Sequence, residues 1–447
     1  MLGTKNKSGR WKLVALLGAL LLIAAACTTD GATTTTAAPD VPDATDAPDT
    51  PDTTTAPDEP EEPDEPAEPI VIGGSLALSG FLSPTAAIHK VAGDLFIEEL
   101  NAAGGLLGRP VVWDVRDDES APDNAAAIYE RLITEEQVDL ILGPYGTGTI
   151  TAAMAVAEEN GYVFPHHTAS LTYLYTYACH FPTWPTGVET NITNPNLLYD
   201  ALDASENPPE TIGFVMNTFP GTQFIADGPP ETDVGGAVTE AAKRGYEVVL
   251  DIDFPTVDTN WDEVAALVKA ADPDFLYVGA LGVNGNDLLA SLDAIDYSPR
   301  GHFYQWPAPG PLLADPLADH AYSVTTFEMH SPFMDDPENA AVANAFAAAA
   351  EEAGLPYTDF EAQASASWVA WQVLIAGVEG AGSLDHDEIC NWLIDNPVDT
   401  VLGVVDFDPA QQNYYGDLSK IKQIQDGAWL VVSPSEWAAP DTVPLLP

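Results

Sequence analysis

Positive charge is the scarcest property of this chain. Its 447 residues include 14 lysines and arginines against 69 aspartates and glutamates, which gives a formal net charge of −55 at pH 7. A surface this acidic repels phosphate backbones and anionic lipid headgroups, so we expect no nucleic-acid partner and no adsorption to a membrane surface. Solubility or a salty environment accounts for the acidity. The alternative is steering of a cationic or neutral ligand, which salt screening over about 10 Å weakens.

Reactive motifs are also missing. The 3 cysteines include no Cys-x-x-Cys pair and the 8 histidines include no His-x-x-x-His pair, so the sequence predicts no metal site. There is no Gly-x-Ser-x-Gly elbow, Walker loop or His-Glu-x-x-His helix. We therefore expect no catalytic residue and no cofactor, and an exported hydrolase is the weakest of the alternatives.

One long apolar run is present, at residues 13–27, and it follows four basic residues. The run is too short to span a bilayer comfortably, and it ends in small residues and Cys27. It is typical of an export signal and resembles a bacterial lipobox, although Ala24 stands where Leu or Val is usual. We expect a lipoprotein signal peptide at 1–27 and lipidation of Cys27. The protein would then lie on the outer face of the cytoplasmic membrane or in the periplasm; ordinary secretion is the alternative.

Residues 28–68 form a second low-complexity segment. They are almost entirely Thr, Ala, Pro, Asp and Glu and show no apolar periodicity, so they cannot bury enough surface to fold. A proline-stiffened chain rises about 3.1 Å per residue, so this acidic tether would reach on the order of 100 Å from the membrane.

From Ile70 onward, short β-rich runs alternate with amphipathic helical segments. A first unit is predicted to contain strands at 70–80, 111–115, 138–142 and 162–165, with helices between them, the last at 149–160. After an irregular segment at 181–196, a second unit has strands at 212–216, 247–252, 275–278 and 302–306 and helices at 234–243, 261–271 and 287–295. Residues 336–396 are predicted to form two further helices. This alternation indicates an α/β fold with parallel, doubly wound sheets in two tandem units.

The loops that follow the strands form the candidate site, because ligands bind beyond the carboxyl ends of strands in open α/β sheets. Glycines in the segment 143–149 would admit a ligand to the backbone, and its two threonines offer hydroxyls at a helix N-terminus, where a carboxylate fits. The structural alternative is that Thr149 caps the helix. His166 and His167 should point to opposite sides of an extended segment, so they could not chelate one ion together. The candidate ligand contacts are Ser79, Phe81, Tyr145, Thr147, Thr149, His166, Thr168 and Trp306.

In their order and spacing, several segments resemble type I solute-binding proteins of ABC importers, the group of branched-chain amino-acid and amide receptors that includes Leu/Ile/Val-binding proteins. The resemblance is carried by residues 78–80, 98–108, 116–120, 138–144, 270–274 and 403–409. It implies two Rossmann-like lobes of the periplasmic-binding-protein-like I type, joined by a three-crossing hinge that closes on a ligand. Lobe 1 would comprise 69–182 and 326–397, lobe 2 186–322 and 399–433, and a tail 434–447. Cys179 and Cys390 would both fall in or beside lobe 1, which makes a disulfide possible.

The resemblance also implies roles for particular residues. In amino-acid receptors of this family, groups after the third and fourth strands hold the ligand carboxylate; Thr147, His166 and Thr168 match them. The ammonium usually meets an acidic residue in lobe 2, but the segment 303–309 contains none, and an unpaired buried charge is costly. This departure favours amides, ureas, aromatic acids or other weakly polar solutes, unless Asp287 or Glu328 supplies the acid.

The expected function is solute capture without chemistry. The chain would be a lipid-anchored monomer that delivers a small molecule to the permease subunits of an ABC importer. A ligand-sensing receptor domain for a signalling partner is the alternative, because this fold serves both roles.

Overall fold

The protein is described here by a computed structural model that covers residues 68–184 and 186–447. The predicted signal peptide, Cys27 and nearly all of the tether lie outside the described residues. In the described part of the chain, no helix has both the length and the apolar character needed to cross a membrane.

The first part of the chain forms a small parallel sheet flanked by helices. Its elements are β1 (Ile70–Leu76), α1 (Ser83–Ala102), β2 (Val111–Asp117), α2 (Pro122–Thr134), β3 (Leu140–Leu142), α3 (Thr147–Asn160), β4 (Phe164–His166) and β5 (His180–Pro182). β1 lies between β2 and β3 and is parallel to both, and β4 and β5 form a separate parallel pair. β1 is buried along nearly its whole length, as its continuous apolar start predicts for a strand covered on both faces.

The middle of the chain builds most of a larger sheet. Its elements are α4 (Thr190–Asp203), β6 (Thr211–Asn217), α5 (Pro220–Asp227), α6 (Ala237–Arg244), β7 (Glu247–Phe254), α7 (Trp261–Ala271), β8 (Phe275–Gly282), α8 (Asn284–Asp293), β9 (Gly301–Pro307), α9 (Pro309–Leu313) and β10 (Tyr322–Thr325). The strands β7, β6, β8, β9 and β10 lie side by side in that order and are parallel.

The last part of the chain returns first to the small sheet and then to the large one. It contains α10 (Pro337–Glu352), α11 (Ala362–Ala381), α12 (His386–Asp395), β11 (Val398–Thr400), β12 (Gly403–Val405), β13 (Lys420–Gln425) and β14 (Ala428–Ser433). α11 packs against α1 and contacts β3 and β4, whereas β13 and β14 extend the large sheet in antiparallel pairing beyond β10. The expectation of two helices in 336–396 was therefore wrong, because the structure has three.

Two α/β lobes result, and the predicted fold class is confirmed. α11 is the centre of the lobe built on the small sheet: it is buried on nearly all sides, as expected for a helix that is apolar around its whole circumference. Its Trp371 is fully buried and packs edge-to-face on Trp113 of β2, with ring centroids 5.1 Å apart.

Two further contacts join distant parts of the chain. Cys179, just before β5, forms a disulfide with Cys390 of α12, with their Cα atoms 5.4 Å apart. The predicted tail at 434–447 packs on the large sheet, where the carbonyl of Leu445 accepts hydrogen bonds from Tyr322 and Gln423.

Candidate functional site

A cleft runs between the two lobes, and groups from both line one pocket within it. The lobe of the small sheet contributes the start of α11, and the large sheet contributes the end of β9 and central residues of β10 and β13. The lining residues are Trp184, Gln305, Trp306, Pro307, Pro309, Ser323, Val324, Glu361, Ala362, Gln363 and Lys422. Of the predicted ligand contacts, Trp306 therefore lies in the wall of this pocket.

Tyr145 reaches the same region through a layer of stacked rings. Its ring lies 4.6 Å from that of His89, which in turn stacks on His167 at 4.2 Å. His89 Nε2 lies 3.1 Å from the side-chain oxygen of Gln363 at the pocket wall. Burial lowers the pKa of His89 to about 3 and lowers that of His167 well below its ordinary value, so both rings are neutral at pH 7.

Three buried charges border the pocket. Lys422 Nζ on β13 lies 2.7 Å from Glu328 Oε1 and 3.9 Å from Glu361 Oε2. Burial raises the pKa of Glu361 to about 7; the nearby Lys422 opposes this shift and Glu328 adds to it. The pKa of Tyr145 is raised mainly by burial, and the negative charge of Glu361 makes a smaller contribution.

Thr147 and Ser170 form a second polar group where the two lobes meet, and neither residue is among those that line the pocket. Their hydroxyl oxygens are 3.1 Å apart, and the Ser170 N–H donates to Thr147 Oγ1 at 3.3 Å. A Cβ placed on Gly221 in α5 would lie 2.7 Å from Ser170 Oγ, so the two lobes are in close approach here. The N-cap of α3 is Gly146, whose φ is +98°, and it provides no side-chain cap; the first N–H groups of this helix therefore have no side-chain acceptor at that position.

The remaining predicted contacts are engaged locally. Thr149 donates its hydroxyl to the carbonyls of Tyr145 and Gly146, so it bonds within the first turn of α3. His166 is fully buried, and its Nε2 lies 3.0 Å from His180 Nδ1. Thr168 has φ +61°, an uncommon conformation for a β-branched residue, and donates to the carbonyl of His167.

Ser79 and Phe81 lie in the exposed turn after β1. The Ser79 carbonyl accepts a hydrogen bond from Ser120, and Phe81 is 50% exposed. Neither residue is among those that line the pocket. Their role in ligand binding stays a prediction.

The two acids that could have replaced the missing lobe 2 carboxylate lie in different surroundings. Asp287 is exposed on α8, and partial desolvation of its carboxyl raises its pKa. Glu328 is buried against Lys422. Among residues 68–184 and 186–447, no group of three or more His, Cys, Asp or Glu side chains could hold a metal ion.

Sequence reasoning missed Trp184, Glu361, Gln363 and Lys422. Their partners are far apart in the chain, and only the fold brings them together. One signal was available: β13 reads Lys-Ile-Lys-Gln-Ile-Gln, and polar side chains on both faces of a strand are unusual where that strand is buried.

Two α/β lobes of this topology, with polar and aromatic groups from both in one pocket, have the architecture of a solute-binding protein. Residues 69–420 match the sequence pattern of the Periplasmic binding protein family, and the chain belongs to it. Within that family it is of type I, with the receptors for branched-chain amino acids.

Three similar proteins illustrate the range of this group. Over 104 residues the chain is 38% identical to the chemotactic signal transduction system substrate-binding protein BasB of Halobacterium salinarum, a match that covers 22% of this chain and 25% of BasB. It is 23% identical over 338 residues to the Leu/Ile/Val-binding protein BraC3 of Rhizobium johnstonii, covering 71% and 81% of the two chains. A solute-binding protein of an ABC transporter from R. palustris, solved in complex with benzoate, superposes with a TM-score of 0.66 at 19% identity, covering 84% of this chain and 99% of that one.

Proposed function

We propose that this chain is a lipid-anchored, extracytoplasmic substrate-binding protein of an ABC importer that closes its two lobes on a small solute. The solute would be an amino acid, an amide or urea, or an aromatic or other organic acid. The observation that carries the proposal is the pocket to which both lobes contribute, with Glu361 and Gln363 on one side and Trp306 and Lys422 on the other. The lobe boundaries would be 69–182 with 326–397, and 186–322 with 399–433.

In this proposal, the Thr147–Ser170 hydroxyl pair and the start of α3 receive a carboxylate. The N–H groups at a helix start favour an anion, and the adjacent hydroxyls can rotate to donate to it. The buried position of both hydroxyls, 3% and 8% exposed, would strengthen such hydrogen bonds.

The test is the substitution Thr147→Ala, with Thr147→Ser as the matched control. Loss of a hydrogen bond to a charged group should weaken binding of leucine or benzoate roughly tenfold, while the serine variant keeps the hydroxyl. Calorimetric titration of the three proteins measures this difference. Equal affinity of Thr147→Ala and the wild type would contradict the carboxylate site, and failure of the wild type to bind either probe would contradict the proposed solute classes.

A ligand-sensing receptor domain is the second candidate. It is favoured by the sequence similarity between this chain and BasB, which covers 25% of BasB. The name of BasB places that protein in a chemotactic signal transduction system. Co-purification distinguishes the two functions: retention by permease subunits supports transport, and retention by a transmembrane signalling receptor supports sensing.

A further inference from the structure

The buried charges at the pocket do not cancel. Glu328, Glu361 and Lys422 are 1%, 4% and 2% exposed, so two carboxylates and one ammonium share a water-poor space. Lys422 lies 2.7 Å from Glu328 and also over the ring of Trp429, 4.7 Å from its centroid. Its charge is therefore balanced mainly by Glu328, and the group carries one excess negative charge when Glu361 is ionised.

Glu361 is only partly compensated. One carboxylate oxygen accepts a hydrogen bond of 2.9 Å from the Gln363 N–H and so caps α11. The other oxygen, Oε2, is 3.9 Å from Lys422, and in the described part of the chain no other Lys, Arg or His forms an ion pair with Glu361. Burial of an ionised carboxylate with so little compensation is costly, and this cost raises its pKa to about 7.

Two aromatic side chains line the pocket with Glu361 and can contact a positive charge, although Lys422 also lies in the wall. Trp184 and Trp306 line the same pocket, and the face of an indole ring attracts cations. The nearby His89 does not compete for the carboxylate as a cation, because burial lowers its pKa to about 3 and the ring is neutral at pH 7.

We propose that the solute carries a positively charged nitrogen group, which binds Glu361 Oε2 in the pocket lined by Trp184 and Trp306. This inference rests on the proposed function and narrows its solute classes to organic cations and zwitterions. The acid comes from the N-cap of α11 in the lobe of the small sheet, whereas the family resemblance implies an acid in the other lobe.

The experiment compares probes that differ only in the charged group. The pairs are phenylalanine and 3-phenylpropanoate, leucine and 4-methylpentanoate, and choline and 3,3-dimethylbutan-1-ol. In at least one pair, the member with the positively charged nitrogen should bind the wild-type protein roughly 10- to 100-fold more tightly than the other member. This difference is expected for a charge-assisted contact. Glu361→Gln keeps the shape and the cap but loses the charge, so it should abolish this preference.

Two further measurements separate a binding role from a structural one. Glu240→Gln removes a carboxylate that is 8% exposed and ion-paired with Lys243 outside the pocket, and it should leave the preference intact. Cation binding must also ionise Glu361, so titrations at pH 7 in buffers of different ionisation enthalpy should detect proton release by the wild type and none by Glu361→Gln.

The possible outcomes differ for the two proposals. If benzoate or the members without the positively charged nitrogen bind, and no member with that nitrogen is preferred, solute capture stands and the cation site is refuted. If Glu361→Gln weakens both members of a pair equally, Glu361 is structural and the cation site is again refuted. If neither the pairs nor benzoate bind, both proposals fail.

Discussion

Glu361 and Glu240 are buried carboxylates with opposite electrostatic surroundings. Among the described residues, the nearest cation paired with Glu361 is Lys422 at 3.9 Å, whereas Glu240 Oε1 lies 2.6 Å from Lys243 Nζ. Burial raises the pKa of Glu361 from 4.5 to about 7. Burial also opposes ionisation of Glu240, but hydrogen bonds from Lys243 and Asn196 outweigh it and lower the pKa of that carboxyl.

Replacing glutamate by glutamine should therefore change stability in opposite directions at positions 361 and 240. Because the folded pKa of Glu361 is raised, its contribution to stability is complete below about pH 4.5 and is lost as the pH rises to about 7. Without ligand, Glu361→Gln should raise the free energy of unfolding above that of the wild type. This increase should be roughly 1–3 kcal/mol larger at pH 8 than at pH 5. Urea unfolding at both pH values measures this, and an effect independent of pH would contradict the electrostatic explanation.

Glu240→Gln provides the contrast. The pKa of the Glu240 carboxyl is lowered in the folded protein, so ionisation of this group adds to stability. That contribution is lost as the pH falls through the folded pKa. The substitution should lower stability at pH 8, by less than about 1 kcal/mol because Lys243 is 62% exposed.

The residues of the candidate site were only partly predictable from the sequence. Tyr145, Thr147 and Trp306 were found because they follow strands, and that rule needs no knowledge of tertiary contacts. Glu361 could not be found in this way, since it precedes a helix and becomes notable only when Lys422, 61 positions later in the chain, is placed beside it.

At the scale of elements, the packing of α1 on β2 depends on a glycine. Gly93 is buried in α1, and a Cβ placed on it would lie 2.4 Å from the ring of Trp113. That ring also contacts Trp371 of α11, so it has little room to shift.

Gly93→Ala should therefore destabilise the protein, although alanine is the better helix former by roughly 0.5–1 kcal/mol. Overpacking against a fixed ring typically costs about 1–3 kcal/mol, which exceeds that gain. Thermal unfolding measures the difference. Gly416→Ala is the matched control, because a Cβ there would meet nothing within 4 Å; an equal effect of the two variants would argue against the steric explanation.

Element prediction failed where helices lack a simple apolar stripe. α4 falls partly in the segment 181–196, which was expected to be irregular; it contains Pro195 and buries polar residues such as Asn191 and Asn194. α5 spans only Pro220–Asp227 and was missed. Tertiary contacts rather than periodicity stabilise such elements.

At the scale of the whole molecule, the alternation of strands and helices was enough to predict two α/β lobes. The return of β13 and β14 to the large sheet was not predictable from periodicity, because antiparallel pairing with β10 joins residues about 100 positions apart. The disulfide likewise joins residues separated by 211 positions.

The predicted lipid anchor at Cys27 can be tested with the full-length protein in cells. Cys27→Ala should move the protein from the membrane fraction to the soluble fraction of cells, because acyl chains supply the membrane affinity. Mass spectrometry should find these chains on Cys27 of the wild type and on no other residue. An unmodified Cys27 in a mature secreted protein would contradict lipidation and leave solute binding unaffected.

Gly221 has a mechanical consequence for closure. A methyl group added to it would lie 2.7 Å from Ser170 Oγ, which would have to rotate away, and 3.4 Å from Thr147 Oγ1. A bulkier residue at this position would hinder closure sterically and favour the open arrangement of the lobes. Affinity for any solute would then fall through the balance between open and closed forms, without the loss of a single contact to the solute itself.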